Sequence, residues 1–199
     1  MQDYANYILK YCNIKSGSRV LEIGCGDAMV MKRMKSIRPD IEFFGIDISS
    51  SQIDKAKSNL KDAKFKISNA VESIYFDQKF DVIFSFSTIQ YIQRSDLKAF
   101  NSNCIQVLSD KGKICHMSIP DINKKKKYLF EGLRTKYNSF FAYFLMLIKD
   151  KLDNNYGKDG GVWHNPEMLY TTMDPLFDIK ISSPSDSWYR FDFNLELKK

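Results

Sequence analysis

Two glycines and a carboxylate carry the first chemical signal. Gly24 and Gly26 lie in the run Glu22-Ile23-Gly24-Cys25-Gly26-Asp27-Ala28, and Asp47 follows some twenty residues later. Glycine takes up backbone conformations that strain other residues and lets a ligand approach the bare main chain. A carboxylate accepts from two hydroxyls at once, which suits a ribose diol. Together they describe an adenosine site with the ribose on Asp47. The chain has two histidines. His164 precedes an Asn165-Pro166-Glu167 helix start and is a candidate general base; a capping or packing histidine is the competing reading. His116 lies within an apolar run and reads as a hydrogen-bonded core residue. Asp121 and Tyr91 are secondary base or orienting candidates.

The elements that must hold these residues follow from hydrophobic patterning. Val20 to Ile23 read as a short buried strand, and a helical pattern starts at Met29. Phe43 to Ile48 form a second strand that closes on Asp47. Ser49 to Ser51 supply an N-cap for a helix from Gln52 to Leu60. Lys64 to Ile67 form a third strand, ending in Ser68-Asn69-Ala70. Phe80 to Phe86 are nearly all apolar and form a central fourth strand. Ser95 is the expected cap of the next helix, which is expected to stop at Asp110-Lys111-Gly112. Lys113 to Ile119 form strand five, Phe177 to Ile181 strand six, and Trp188 to Leu197 an antiparallel strand seven across a turn containing Pro184. Residues 2–13 read as a helix ahead of the first strand. The fold class is α/β: a doubly wound, mostly parallel seven-stranded sheet with its last strand antiparallel, helices on both faces, and a helical insertion after strand five.

The turn also discriminates among adenosine ligands. A dinucleotide fingerprint places its third small residue where Met29 stands; here the small residue is Ala28. Glu22 puts an acidic side chain just before the turn, which would repel a pyrophosphate and suit a cationic amino-acid ligand. This argues against an NAD-type oxidoreductase.

The pattern Glu-x-Gly-x-Gly-x-Ala, with Asp47 after the second strand, resembles class I S-adenosylmethionine-dependent methyltransferases of the small-molecule type. The resemblance runs through most of residues 1–120. It implies S-adenosylmethionine as cofactor, with contacts from Glu22, Gly24, Cys25, Gly26, Ala28, Asp47, Ile48, Asn69, Ala70 and Ser85. Asn69 replaces the Asp common in the family at the adenine contact and could still accept through its amide oxygen. Tyr91 stands where His is frequent, so it either lines the acceptor site or packs under the methionine. Tyr4, Tyr7 or Tyr11 could reach the methionine carboxylate, or belong to a helix packed on the sheet edge. His164 and Tyr91 are the catalytic candidates, and no metal is invoked. The Ser85-Phe86-Ser87-Thr88 run lacks the Asn/Asp-Pro-Pro-aromatic pattern of enzymes that methylate exocyclic base amines.

Composition bounds the rest. The chain has 199 residues and a net charge of +6, with 44% hydrophobic residues. The domain plan is a 1–120 cofactor-binding core, a 121–165 helical insertion or lid, and a 166–199 C-terminal helix and hairpin. Within the insertion, Tyr128 to Leu133 and Tyr137 to Leu152 read as helical. The second carries a face of Phe140, Phe141, Phe144 and Leu147 or Ile148, which fits a lid, a dimer contact or a membrane-surface helix; its place after strand five, at the carboxyl edge where ligands bind in open sheets, favours a lid. The run Lys124 to Lys127 reads as a solvated loop. Four cysteines without close pairing, no apparent signal peptide and no membrane-length apolar run point to a cytoplasmic protein.

The implied activity is methyl transfer to a small or medium acceptor, at a hydroxyl of a sugar, nucleotide-sugar or other metabolite. The alternatives are a nucleic-acid or protein methyltransferase and a non-catalytic binding subunit. A small-molecule acceptor is the expected partner rather than nucleic acid. A peripheral membrane contact and a monomeric or homodimeric state stay open.

Overall fold

The computed structural model describes residues 4–128, 131, 161–171, 177–183 and 189–198. The expected helix at 137–152, part of the 128–133 helix, most of the 154–161 loop and the Pro184 turn lie outside these residues. In chain order the elements are α1 (Tyr4–Tyr11), β1 (Arg19–Ile23), α2 (Met29–Ile37), β2 (Glu42–Asp47), α3 (Ser50–Asn59), β3 (Lys64–Ile67), β4 (Phe80–Phe86), α4 (Leu97–Gln106), β5 (Leu108–Pro120), α5 (Pro166–Thr171), β6 (Phe177–Ser182) and β7 (Arg190–Leu197).

The strands form one seven-stranded sheet in the order β3-β2-β1-β4-β5-β7-β6. β1 to β5 pair in parallel, whereas β7 runs antiparallel to both β5 and β6. The order reverses beside β1, where β1 pairs with β2 on one side and β4 on the other. That switch point opens a crevice at the strands' carboxyl ends, the usual place for a ligand in an open α/β sheet.

Each face of the sheet buries its own apolar layer. Ile8, Met31, Met34 and Ile53 from α1, α2 and α3 pack with Val20, Phe43 and Phe84 on one face. Leu97, Phe100 and Cys104 from α4 and Leu169 from α5 pack with Leu21, Phe44 and Ile83 on the other. Alternating side chains along each strand divide these residues between the two layers. All four cysteines are free and buried.

Three local expectations change. The run Lys124 to Lys127 is not a loop: Lys124 ends a 3-10 turn that starts at Ile122, and 125–127 continue as helix. Gly112 does not end α4; it lies inside β5, which begins at Leu108. A Cβ there would stand 2.7 Å from Leu108 Cδ1 and 2.9 Å from the Phe80 carbonyl oxygen, so only glycine passes at this irregularity between β4 and β5. Ser95 does not cap α4 either. It donates to Asp96 Oδ1 at 2.9 Å, and Asp96 is the N-cap residue. Ser49 does cap α3, accepting from the Gln52 N–H, and Asn165 Oδ1 accepts from the Glu167 N–H at 2.9 Å at the start of α5.

Candidate active site

The glycine turn after β1 is held against the neighbouring strand. The Gly24 and Cys25 N–H groups both donate to the Ile46 carbonyl, at 2.8 and 3.0 Å. Gly24 and Gly26 have φ of 70° and 53°, values that strain a residue with a Cβ. At Gly24 there is also no space: a Cβ would lie 2.5 Å from Thr88 Oγ1 and Cγ2. Thr88 approaches so closely because its hydroxyl donates to the Ile23 carbonyl at 3.1 Å, joining the end of β1 to the loop after β4. At Gly26 the position of a Cβ is open, with nothing within 4 Å. Ala28 is a third residue of the turn in the left-handed region, with φ of 61°.

Asp47 closes β2 with its carboxylate already oriented. Oδ2 accepts from the Gly26 N–H and Oδ1 from the Ser49 N–H, each at 2.9 Å. Each oxygen keeps a second lone pair, so the group can still accept from two hydroxyls. The turn and the carboxylate therefore form one unit, tied by main-chain hydrogen bonds.

Beside this unit lies a cavity of about 450 Å³, within the ordinary size range for a small-ligand site. Gly24, Gly26, Asp47, Ile48, Asn69 and Ala70 line it, and Tyr91 forms part of its far wall. Ile48 and Tyr91 are each 73% exposed, so apolar surface from both sides borders the opening. Ser87, Thr88 and Phe100 also line the cavity. Ser87 and Thr88 open the loop after β4, which the family resemblance implies faces the sulfonium, but neither residue carries a specific role by its type. The contact of Thr88 with Ile23 spans 65 residues and leaves no local signature.

Five of the expected site residues lie outside the cavity wall. Glu22 is buried beneath the turn, and its Oε2 has no hydrogen-bond partner. Burial, then the charges of Asp47 and Asp27, push its carboxyl pKa well above the usual range. The acid before the turn is therefore held toward its neutral form, which removes the basis for the pyrophosphate repulsion expected from its charge. Cys25 is buried against β2, its sulfur 2.8 Å from where a Gly45 Cβ would stand. Ala28 is fully buried in the turn. Ser85 points to the α4 side of the sheet, where its hydroxyl meets His116 Nδ1 at 2.9 Å.

His164 is the fifth. Its side chain is fully buried, and its Nε2–H donates to the Ile89 carbonyl at 3.0 Å. Its main chain bridges Pro120 and Ile122: the His164 N–H donates to the Pro120 carbonyl at 2.9 Å, and its carbonyl accepts from the Ile122 N–H at 3.0 Å. Burial lowers its pKa to about 4. The ring thus fixes the 89–91 turn that carries Tyr91 and does not itself face the cavity.

Asn69 lines the cavity with its amide already engaged. Oδ1 accepts from the Val71 N–H at 3.1 Å and Nδ2 donates to Glu72 at 2.9 Å. The tyrosines of α1 take separate places. Tyr4 packs on Phe86 with ring centroids 5.0 Å apart, Tyr7 donates to Asp192, and Tyr11 accepts from Ser182. Phe86 lines the cavity, so α1 reaches the site through Tyr4. Among the described residues no group of His, Cys, Asp and Glu is arranged to hold a metal ion, and no helix is long and apolar enough to cross a membrane.

This strand order, with an antiparallel β7 and a glycine turn facing an acidic β2 end, defines the class I S-adenosylmethionine-dependent methyltransferase fold. The family profile described as "Methyltransferase domain" matches residues 14–154, and the chain belongs to that family. Among curated relatives, it is 29% identical over 111 residues to the demethylmenaquinone methyltransferase of Thermotoga maritima, covering 54% of this chain and 46% of that protein. It is 32% identical over 99 residues to the malonyl-[acyl-carrier protein] O-methyltransferase of Bacillus anthracis, covering 49% and 36%. The matched regions span about half or less of the curated relatives' length. A methyltransferase of Clostridium acetobutylicum superposes with a TM-score of 0.70 at 13% identity, covering 99% of this chain and 92% of that one. The N-methyltransferase NodS of Bradyrhizobium japonicum, solved with S-adenosyl-L-homocysteine, gives 0.66 at 12% identity over 99% and 87%. At these identities the solved structures speak to the fold.

Proposed function

We propose that this protein is an S-adenosylmethionine-dependent methyltransferase acting at oxygen on a small-molecule acceptor. The observation that carries this is the Asp47 carboxylate, fixed by the glycine turn at the edge of a ligand-sized cavity. The site residues fit the donor chemically. The open Cβ position at Gly26 leaves room beside the turn, Asp47 retains acceptor capacity for a ribose diol, and Ile48 and Ala70 offer apolar surface for an adenine. When bound, S-adenosylmethionine supplies a methyl group activated on a sulfonium sulfur.

The chain's own part is positioning. Asp47 orients the ribose, the glycine turn admits the donor close to the main chain, and Phe86, Ser87 and Tyr91 bound the side of the cavity away from β2. Holding two reacting groups within about 3–3.5 Å is the main rate contribution expected for such a transfer. Tyr91 is assigned to orient the acceptor, and His164 to hold the Tyr91 turn through Ile89. The relatives' names support oxygen as the target atom, since several are O-methyltransferases. A sugar or other metabolite hydroxyl and a cytoplasmic setting remain part of this proposal.

Calorimetry tests the donor site. S-adenosylhomocysteine should bind one to one, and Asp47→Ala should weaken binding at least tenfold, equivalent to about 1.4 kcal/mol. Equal affinity in wild type and variant would remove Asp47 from the site. Incubation with donor labelled in the methyl group and a metabolite extract then reports the acceptor. Tyr91→Phe should lower transfer without changing donor affinity.

A further inference from the structure

Arg190 opens β7 and pairs with Pro120, the last residue of β5, at the same carboxyl edge of the sheet that holds Asp47 and the glycine turn. Its guanidinium is partly buried, and all its hydrogen-bond partners are neutral. Nη1 donates to the Ser118 carbonyl and to Ser118 Oγ, and both terminal nitrogens reach Gln90 Oε1 at 3.3 Å. Among the described residues no carboxylate lies within ion-pair distance, whereas Arg19, Arg38, Lys113 and Lys124 each have one. The nearby carboxylate of Asp192 is fully buried and engaged elsewhere, accepting from the Ser118 N–H at 2.7 Å and from the Tyr7 hydroxyl. A partly desolvated cation without a counter-charge is unfavourable unless a ligand supplies one.

The surroundings of Arg190 adjoin the cavity. Ser118 Oγ accepts from Ser87 Oγ at 3.1 Å, and Ser87 lines the cavity. The guanidinium is thus two hydrogen bonds from the cavity wall, on the side away from Asp47. Gln90, its other partner, precedes Tyr91. Both Ser87 and Ser118 hold left-handed backbone, with φ of 56° and 61°. Strain of this kind in residues with a Cβ collects at functional sites. Tyr189 lies against the guanidinium, 5.2 Å from ring centroid to Cζ, and continues into a cluster with Tyr128 and Trp163.

We propose that Arg190 is the anion-binding residue of an acceptor subsite, and that the acceptor carries a carboxylate or phosphate group on an apolar or aromatic body. The proposal rests on the methyltransferase reading and specifies its substrate class. Arg190 neutralises the anionic group, the Tyr189 cluster flanks the body, and the hydroxyl to be methylated extends past Ser87 toward the donor. Guanidinium suits both anions because its paired donors match their oxygens.

Inorganic phosphate and acetate are the probes, added to the full chain saturated with S-adenosylhomocysteine, with chloride holding ionic strength constant. Thermal midpoint and calorimetry are the readouts. The expected result is saturable stabilisation by at least one of the two anions, lost in Arg190→Gln, weakened in Arg190→Lys and unchanged in Lys126→Gln. The anion that acts identifies the acceptor's group. No saturable effect of either anion on the wild-type protein overturns the proposal, whether or not Arg190→Gln folds. So does an effect that survives Arg190→Gln or disappears in Lys126→Gln. S-adenosylhomocysteine affinity is measured in the same samples. Intact donor binding without an anion effect rejects the subsite alone, whereas absent donor binding rejects the methyltransferase reading.

Discussion

Lowering the pH should separate this protein's two histidines from ordinary ones. His116 is 2% exposed and His164 fully buried, and burial lowers their pKa values to about 3 and about 4. In the unfolded chain each titrates near 6.5. Above that value both states carry a neutral imidazole, and neither ring's titration makes stability depend on pH. Below it the unfolded chain takes up protons that the native state refuses, so the stabilising contribution is lost as pH falls toward the native pKa. At about pH 5 the cost is ~2 kcal/mol for each histidine, at 1.36 kcal/mol per unit. Native domains commonly have only about 5–15 kcal/mol in total.

Glu22 acts in the opposite direction, so the effect must be read as a difference. In urea unfolding, wild type should lose about 2 kcal/mol more than His164→Gln between roughly pH 7.5 and pH 5. Proton NMR of the untagged chain gives the direct readout, since only two imidazoles contribute. Both should stay neutral down to about pH 5. A His164 midpoint near 6.5 would refute the buried placement and return the residue to the role of a solvent-facing base.

Three other perturbations follow from the site. Gly24→Ala should cost about 1–2 kcal/mol for left-handed backbone, and roughly 1 more as Thr88 is driven off the Ile23 carbonyl. Adding Thr88→Gly should recover part of the loss in thermal unfolding and in donor affinity; strictly additive effects would deny the contact. Glu22 has its native pKa raised, so its stabilising contribution is present below the unfolded carboxyl value and lost as pH rises through the native one. Glu22→Gln should therefore match wild type near pH 4 and gain on it toward pH 8 in denaturant titrations, and a variant that loses stability at pH 8 would contradict a buried, proton-holding acid. The buried thiols should react with a disulfide reagent only on unfolding; rapid labelling of Cys25 in the native protein would contradict its burial against β2.

The core of the site was legible because it is local. An apolar strand, a glycine turn and an acidic strand end each leave a pattern within a few residues, and the expected sheet and the antiparallel β7 follow from such patterns in series. What was not legible depends on distant pairing. Gly112 reads as a helix stop by local chemistry, yet the approach of Phe80 and Leu108 makes it a strand residue. His164 reads as a loop residue free to reach a ligand, yet its main chain joins the end of β5 and carries the ring inward. Ser85 belongs by motif to the cofactor side, but the strand's alternation turns it toward His116. Arg190 attracts no notice in a strand of alternating residues until β7 is placed beside β5.

A crystal structure with S-adenosylhomocysteine tests the central claim most directly. The account predicts the ribose hydroxyls on Asp47, the adenine between Ile48 and Ala70, and the sulfur on the side of Ser87 and Tyr91. A cavity left vacant beside Gly24 and Asp47 at saturating ligand, or one that takes a nicotinamide dinucleotide in its place, would contradict it.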